Sequence, residues 1–199
     1  MLHQTVQFTA AISAHDQGLR QAAQVAARSS YVLSLLTLIW GALVSTGWVE
    51  RLTGRQAMRS SHMMLATLAV GFGALHFLAF LYAQDQNFTL FTLLFPASPD
   101  GTLRWTFGII GWELMLAILI STGVVRFMIY RRWLWLHRLA YPAVGLIVLH
   151  SLFGAIQNGH LSIVWFGGLT VLVPALLITA LRIVPPRVLT KAGLVEEEM

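Results

Sequence analysis

Polar positions bunch together along this chain and leave long apolar stretches between them. Five stretches are free, or nearly free, of Asp, Glu, Lys and Arg: Tyr31–Val49, His62–Ala83, Trp105–Val125, Trp133–Ile156 and Leu161–Leu181. A helix of roughly 20 residues crosses about 30 Å of hydrocarbon at 1.5 Å per residue, so each stretch is long enough to span a bilayer. All are rich in Leu, Ala, Val and Gly and too long for strands. The pattern predicts an all-α integral membrane bundle of five transmembrane helices. Glu113 interrupts the third stretch, and Arg138 lies about one turn inside the fourth. There is no internal repeat of solenoid length and no low-complexity segment.

The two ends read differently. Residues 1–30 are polar, with His3, His15, Asp16, Arg20 and Arg28. They lack the basic start and apolar core of a secretion signal. Val6, Phe8, Ala10 and Ile12 alternate, whereas Leu19, Ala22, Ala23 and Ala26 keep helical spacing, which predicts a short surface helix. Residues 184–199 hold Pro185-Pro186 and end in Glu196-Glu197-Glu198, a tail. The expected organisation is a polar segment over 1–30, a transmembrane domain over 31–183 and a tail over 184–199.

Charge fixes an expected orientation. With five spans, Arg20, Arg28 and Arg104 fall on one side of the membrane. Arg51, Arg55, Arg59, Arg126, Arg131, Arg132, Arg138, Arg182, Arg187 and Lys191 fall on the other, and the two groups account for all 13 basic residues. Cytoplasmic segments carry the excess of Lys and Arg, so the N-terminus is expected outside and the C-terminus in the cytoplasm. Composition agrees. Hydrophobic residues make up 57% and charged residues 11%, against about 25% charged in a soluble domain. Mean hydropathy is +0.71. A soluble α/β enzyme and a disordered chain are excluded, and nothing points to a nucleic-acid partner. The chain has no cysteine, which excludes disulfides, thiolate iron–sulfur clusters, thioether-linked haem and zinc ribbons. A metal would have to be held by His, carboxylate, Met or backbone oxygen.

Four histidines lie inside the apolar stretches: His62 and His76 in the second, His137 and His150 in the fourth. Ionisable groups in hydrocarbon are costly and point to function, although one alone is as readily an interhelical hydrogen bond. The two stretches run parallel. His62 and His137 therefore share a depth near the Arg-rich face, and His76 and His150 share a depth in the other half. Two level pairs suit two stacked bis-His sites. Haem iron takes two axial ligands on opposite faces, whereas zinc or copper wants more ligands at one depth. Between His62 and His76, Ala66, Ala69 and Gly73 continue the same face in steps of 4, 3, 4 and 3. That small-residue stripe is expected to face a flat prosthetic group; close helix packing is the competing reading. The fourth stretch needs a repair. Thirteen residues turn a helix by about 220°, so a straight helix puts His137 and His150 on different faces. Pro142 has no N–H for the carbonyl of Arg138, which makes a kink or local unwinding available. Arg59 and Arg138 beside the Arg-rich-side pair are expected to meet haem propionates.

This layout resembles the ferric-reductase-like transmembrane domain. That family includes the membrane part of NADPH oxidases, yeast metalloreductases and the haem subunit of the bacterial periplasmic methionine sulfoxide reductase system. The resemblance rests on the His spacings and two strings, Arg59-Ser-Ser-His62 continuing to Leu75-His76, and Arg132-Trp-Leu-Trp-Leu-His137-Arg-Leu-Ala-Tyr141 continuing to Leu149-His150. It covers roughly residues 31–183. It implies single-electron transfer through two b-type haems, from a cytoplasmic or membrane donor to an acceptor outside, in a plasma membrane such as the bacterial inner membrane. It assigns His62 and His137 to an inner haem, and His76 and His150 to an outer one. Many members have six spans, and oxidases of the family carry a flavin and NADPH domain after the last. Residues 182–199 contain no glycine-rich nucleotide loop, so a separate reductase or quinol is expected to supply electrons, and other subunits can belong to the complex. The resemblance thus implies the haem-carrying electron-transfer subunit of an oxidoreductase.

Arg104, His160, Gln157 and Asn158 lie near the outer end and are candidates for shaping the acceptor site, with ordinary loop polarity as the alternative. Glu113 is a candidate for proton movement, quinone contact or an interhelical hydrogen bond. Trp48, Trp105, Trp133 and Trp135 sit at span ends as interfacial anchors. Two other readings remain. One is a haem-free subunit that anchors a larger complex; the other is a quinol-linked b-type cytochrome of a different family. A transporter fits less well, because no inverted repeat is present.

Overall fold

The computed structural model describes residues 14–47, 53–83, 89–96, 103–159 and 161–191. Its elements are α1 (Ala14–Thr46), α2 (Arg55–Tyr82), α3 (Leu90–Leu94), α4 (Leu103–Gly123), a 3-10 turn (Val125–Phe127), α5 (Tyr130–Arg138), α6 (Ala140–Gln157), α7 (Leu161–Ile183) and α8 (Pro186–Lys191). Among the described residues there is no strand. Four segments are long and apolar enough to cross a membrane: His15–Thr46, Arg55–Tyr82, Leu103–Gly123 and Tyr130–Gln157. The fifth expected stretch coincides with α7, which contains Pro174 and a shorter apolar run, Thr170–Leu181.

The long helices alternate in direction, with tight turns at one end. Gly47 and Gly54, at φ 71° and 77°, flank the connection between α1 and α2; side chains other than Gly rarely tolerate that left-handed backbone. At the opposite end Thr89 and Thr92 form a reciprocal capping box that starts the short helix α3.

One boundary differs from the sequence expectation. The first helix starts at Ala14 instead of Tyr31, so residues 14–30 are the upper part of α1 and not a separate surface helix. No Gly or Pro interrupts 19–40, and Ala23 and Ala26 are buried against the bundle. A helix of 33 residues is about 50 Å long, more than the hydrocarbon thickness, so one end of α1 stands clear of the bilayer core.

The fourth expected span is broken. α5 ends at Arg138 and α6 begins at Ala140, with Leu139 at φ −63°, ψ −9° donating its N–H to the carbonyl of Leu136 at 3.0 Å in a 3-10 turn. The break falls where Pro142 cannot donate to Arg138.

The middle of the bundle is a small apolar core of Leu35 on α1, Val144 on α6 and Ala175 on α7, packed by Tyr31, Met115 and Val148. Outward faces are equally apolar. Met64, Leu68, Leu75 and Leu78 form an exposed stripe along α2, opposite the face carrying His62, Ala69, Gly73 and His76. A helix apolar all round suits lipid contact.

Candidate bis-histidine cofactor sites

Three helices, α2, α5 and α6, bring the four histidines together in pairs. At the amino-terminal end of the bundle, the rings of His76 on α2 and His150 on α6 have centres 6.2 Å apart, inclined at 70°. Each ring is anchored from a different helix. His76 Nδ1 donates to the carbonyl of Ala23 at 2.9 Å, and His150 Nδ1 donates to the carbonyl of Arg104 at 2.8 Å. A carbonyl only accepts, so the Nδ1 atoms carry the protons. In the neutral imidazoles that leaves each Nε2 lone pair available, the arrangement a metal-binding histidine needs. The backbone of α4 comes close here: a Cβ on Gly108 would lie 2.6 Å from His150 Nδ1. Only glycine leaves room for that ring.

At the opposite end, His62 on α2 and His137 on α5 repeat the arrangement, with centres 6.1 Å apart and rings inclined at 68°. Again a glycine makes the space: a Cβ on Gly41 of α1 would meet His62 Cε1 at 3.0 Å. Trp133, one turn before His137, stacks on it at 4.9 Å. His137 and His150, on either side of the turn at Leu139, each meet a partner on α2.

Two imidazoles bound through nitrogen to opposite sides of one metal, at about 2.0 Å each, have ring centres roughly 6 Å apart. Both pairs meet that separation. No group of three or more His, Asp or Glu that could hold a metal ion occurs among the described residues, so the donor set suits a group that brings its own equatorial ligands, as haem does.

A cavity of about 570 Å³ opens beside the amino-terminal-end pair. Its walls include His76, His150, Phe80 and Trp105, and Arg20, Arg28 and Arg104 also line it. A smaller cavity of about 90 Å³ adjoins it, lined by Gly73, Gly108 and Trp112 among others. This volume and mostly apolar lining are typical of a small-molecule site.

The other residues singled out from the sequence are distributed as follows. Ala69 is buried against α1, where its carbonyl accepts from Ser30 Oγ at 2.8 Å. A Cβ on Gly73 would lie 2.6 Å from Trp112 Cδ1. Ala66 is half-buried. The stripe expected to face a prosthetic group therefore meets protein at Ala69 and Gly73: small residues let α1 and the Trp112 indole approach, while Gly73 also lines the smaller cavity. Arg59 is exposed, and exposed Arg138 lies over the ring of Trp135 at 5.4 Å. Arg104 donates from Nη1 to Gln157 Oε1 at 2.6 Å and lies over Trp105 at 4.7 Å. Asn158 lines the large cavity. His160 lies outside the described residues. Glu113 is partly exposed on α4 and makes no hydrogen bond to a described residue; the interhelical bond expected of it is not formed there. Sequence reasoning missed Gly41, Gly108, Arg20 and Arg28. Arg20, Gln24, Arg28 and Tyr31 keep steps of 4, 4 and 3, a legible polar stripe on one face of an alanine-rich helix.

A family model described as the ferric reductase like transmembrane component matches residues 26–148. The chain belongs to the ferric reductase like transmembrane family. The match takes in His62, His76 and His137 and stops just short of His150. Comparison with curated proteins and with solved structures returns no match. Members of this family commonly bind haem, and membership marks the chain as a multi-pass membrane protein with a role in transmembrane electron transfer in general.

Proposed function

We propose that this protein carries single electrons across a plasma membrane through two b-type haems, each held between two histidines. The observation that carries the reading is the pair of imidazole contacts at 6.1 and 6.2 Å, set at two depths by parallel helices. His62 and His137 would hold the inner haem, and His76 and His150 the outer one. Haem supplies an iron that gains and loses one electron without a change of ligands. The chain's contribution is placement and tuning. The carbonyls of Ala23 and Arg104 hold the outer imidazoles in the tautomer that ligates. With two imidazoles to hold each haem, each site would serve to pass electrons and not to bind oxygen. Ala66 lies one helical turn after His62 in sequence, and Arg59 and Arg138 supply the positive charge nearest the inner pair in sequence.

The asymmetry of basic residues supports an outer end at His76 and His150, with the donor on the side of His62 and His137. The donor is a separate reductase or a quinol, and the acceptor is met outside. A haem-free anchoring subunit would have no use for two matched, glycine-relieved histidine pairs. Quantification of haem in the purified protein by pyridine haemochrome tests the reading. Two haems b per chain are expected. Single replacements of His62, His137, His76 or His150 by Ala should each remove about one. A folded, haem-supplied preparation without haem would sink the proposal.

A further inference from the structure

We propose that Arg20, Arg28 and Arg104 form a carboxylate-binding site at the amino-terminal-end cavity, occupied by the two propionate groups of the haem held between His76 and His150. The inference rests on the haem reading above and extends it to residues outside the ligand set.

Three observations carry it. First, the cavity is mixed in character. Its walls join the histidine pair with apolar Ala79, Phe80 and Ala155 and with three guanidiniums, and no Asp or Glu is among its described lining residues. Second, topology does not account for these arginines. They are the three basic residues that the span order puts on the side poor in Lys and Arg, yet all three line one cavity. They reach it from two separate helices, α1 and α4. The upward extension of α1 is what brings Arg20 and Arg28 there. Third, Arg104 is held but not satisfied. Its Nη1 is fixed by Gln157 and its plane by Trp105. Its buried Nε–H has no hydrogen-bond partner among the described residues. A buried guanidinium N–H calls for an acceptor, and a carboxylate is the anion its fork fits best.

The test compares hemin with hemin dimethyl ester, which keeps the iron and macrocycle and lacks the acid groups. Both are titrated into haem-depleted full-length protein carrying His62→Ala and His137→Ala, which leaves only the outer pair. Hemin is expected to bind at least tenfold more tightly than the ester. In the same background Arg20→Gln, Arg28→Gln and Arg104→Gln together should abolish that preference, and Lys at the three positions should keep most of it. Both proteins should retain the low-spin spectrum of two imidazole ligands. If the double-His variant does not fold, the same comparison is made in the otherwise unaltered chain, reading the outer site as the difference between the Gln variant and the parent. Equal binding of hemin and ester by the parent, or an unchanged preference in the Gln variant, overturns the arginine assignment. An unchanged preference with a raised KM for ferricyanide would overturn it in favour of a site for a free anionic acceptor. Absence of hemin binding by the unaltered protein would instead overturn the haem reading itself.

Discussion

Single atoms decide whether the histidine pairs exist. Histidine in hydrocarbon was legible in the sequence because it is an unusual residue there. What holds each ring was not. The acceptors for His76 and His150 are backbone carbonyls of Ala23 and Arg104, and every residue type has a carbonyl. The space for each ring is likewise an absence, a missing Cβ at Gly41 or Gly108, on helices whose pairing the sequence leaves open. A prediction follows at this scale. Gly108→Ala would put a methyl 2.6 Å from His150 Nδ1, far inside contact distance, and the ring must leave its carbonyl partner. Haem should fall by about one per chain, with the inner haem's spectrum retained. Gly41→Ala, at 3.0 Å from His62, calls for a shift of a few tenths of an ångström and should weaken the inner haem without eliminating it. Haem counting and low-temperature difference spectra separate the two.

Elements had to bend or lengthen for these residues to meet. The 13-residue spacing of His137 and His150 is incompatible with one straight face, and Pro142 marked where relief was available. The chain takes it at Leu139, between α5 and α6. Proline removes a donor and crowds the carbonyl four residues earlier; the turn before it then tightens. Pro142→Ala restores the donor and makes a continuous helix accessible. That helix would swing His137 away from His62 relative to His150. The expected result is loss of most of the inner haem with the outer one kept, measured by haem per chain and redox titration. An unchanged inner haem would mean that packing of α5, and not the proline, holds the break. The length of α1 was the less legible element. Charged positions at Asp16, Arg20 and Arg28 made residues 14–30 look separate from the apolar run, yet helix formation depends on backbone continuity, which nothing there interrupts. Arg20 and Arg28 face a cavity, which hydropathy along the chain does not reveal.

At the scale of the whole molecule, the bundle presents apolar faces outward and keeps its polar chemistry in the interior and at the ends. The three-to-ten division of basic residues predicts an orientation that can be measured directly. A reporter active only after export should work when inserted in the 84–104 connection, and a reporter active only in the cytoplasm should work in the 124–132 connection. The opposite pattern would invert the inner and outer assignments while leaving both histidine pairs as they are.

The sequence alone determined the all-helical membrane class of the protein, an expected orientation and the four histidines, since hydropathy, charge bias and residue rarity are properties of local stretches; four of the five expected stretches coincide with helices long and apolar enough to cross a membrane. Family membership bears out the resemblance its motifs carry. Tertiary structure decided which small residues make room for a ring and which merely pack. Ala69 and Gly73 meet α1 and Trp112, and Gly73 also lines the smaller cavity beside His76 and His150; Gly41 and Gly108 clear space for the histidines. It also gathered Arg20, Arg28 and Arg104 around one cavity. Convergence of this kind depends on how helices far apart in sequence cross, and periodicity within one helix carries no information about that.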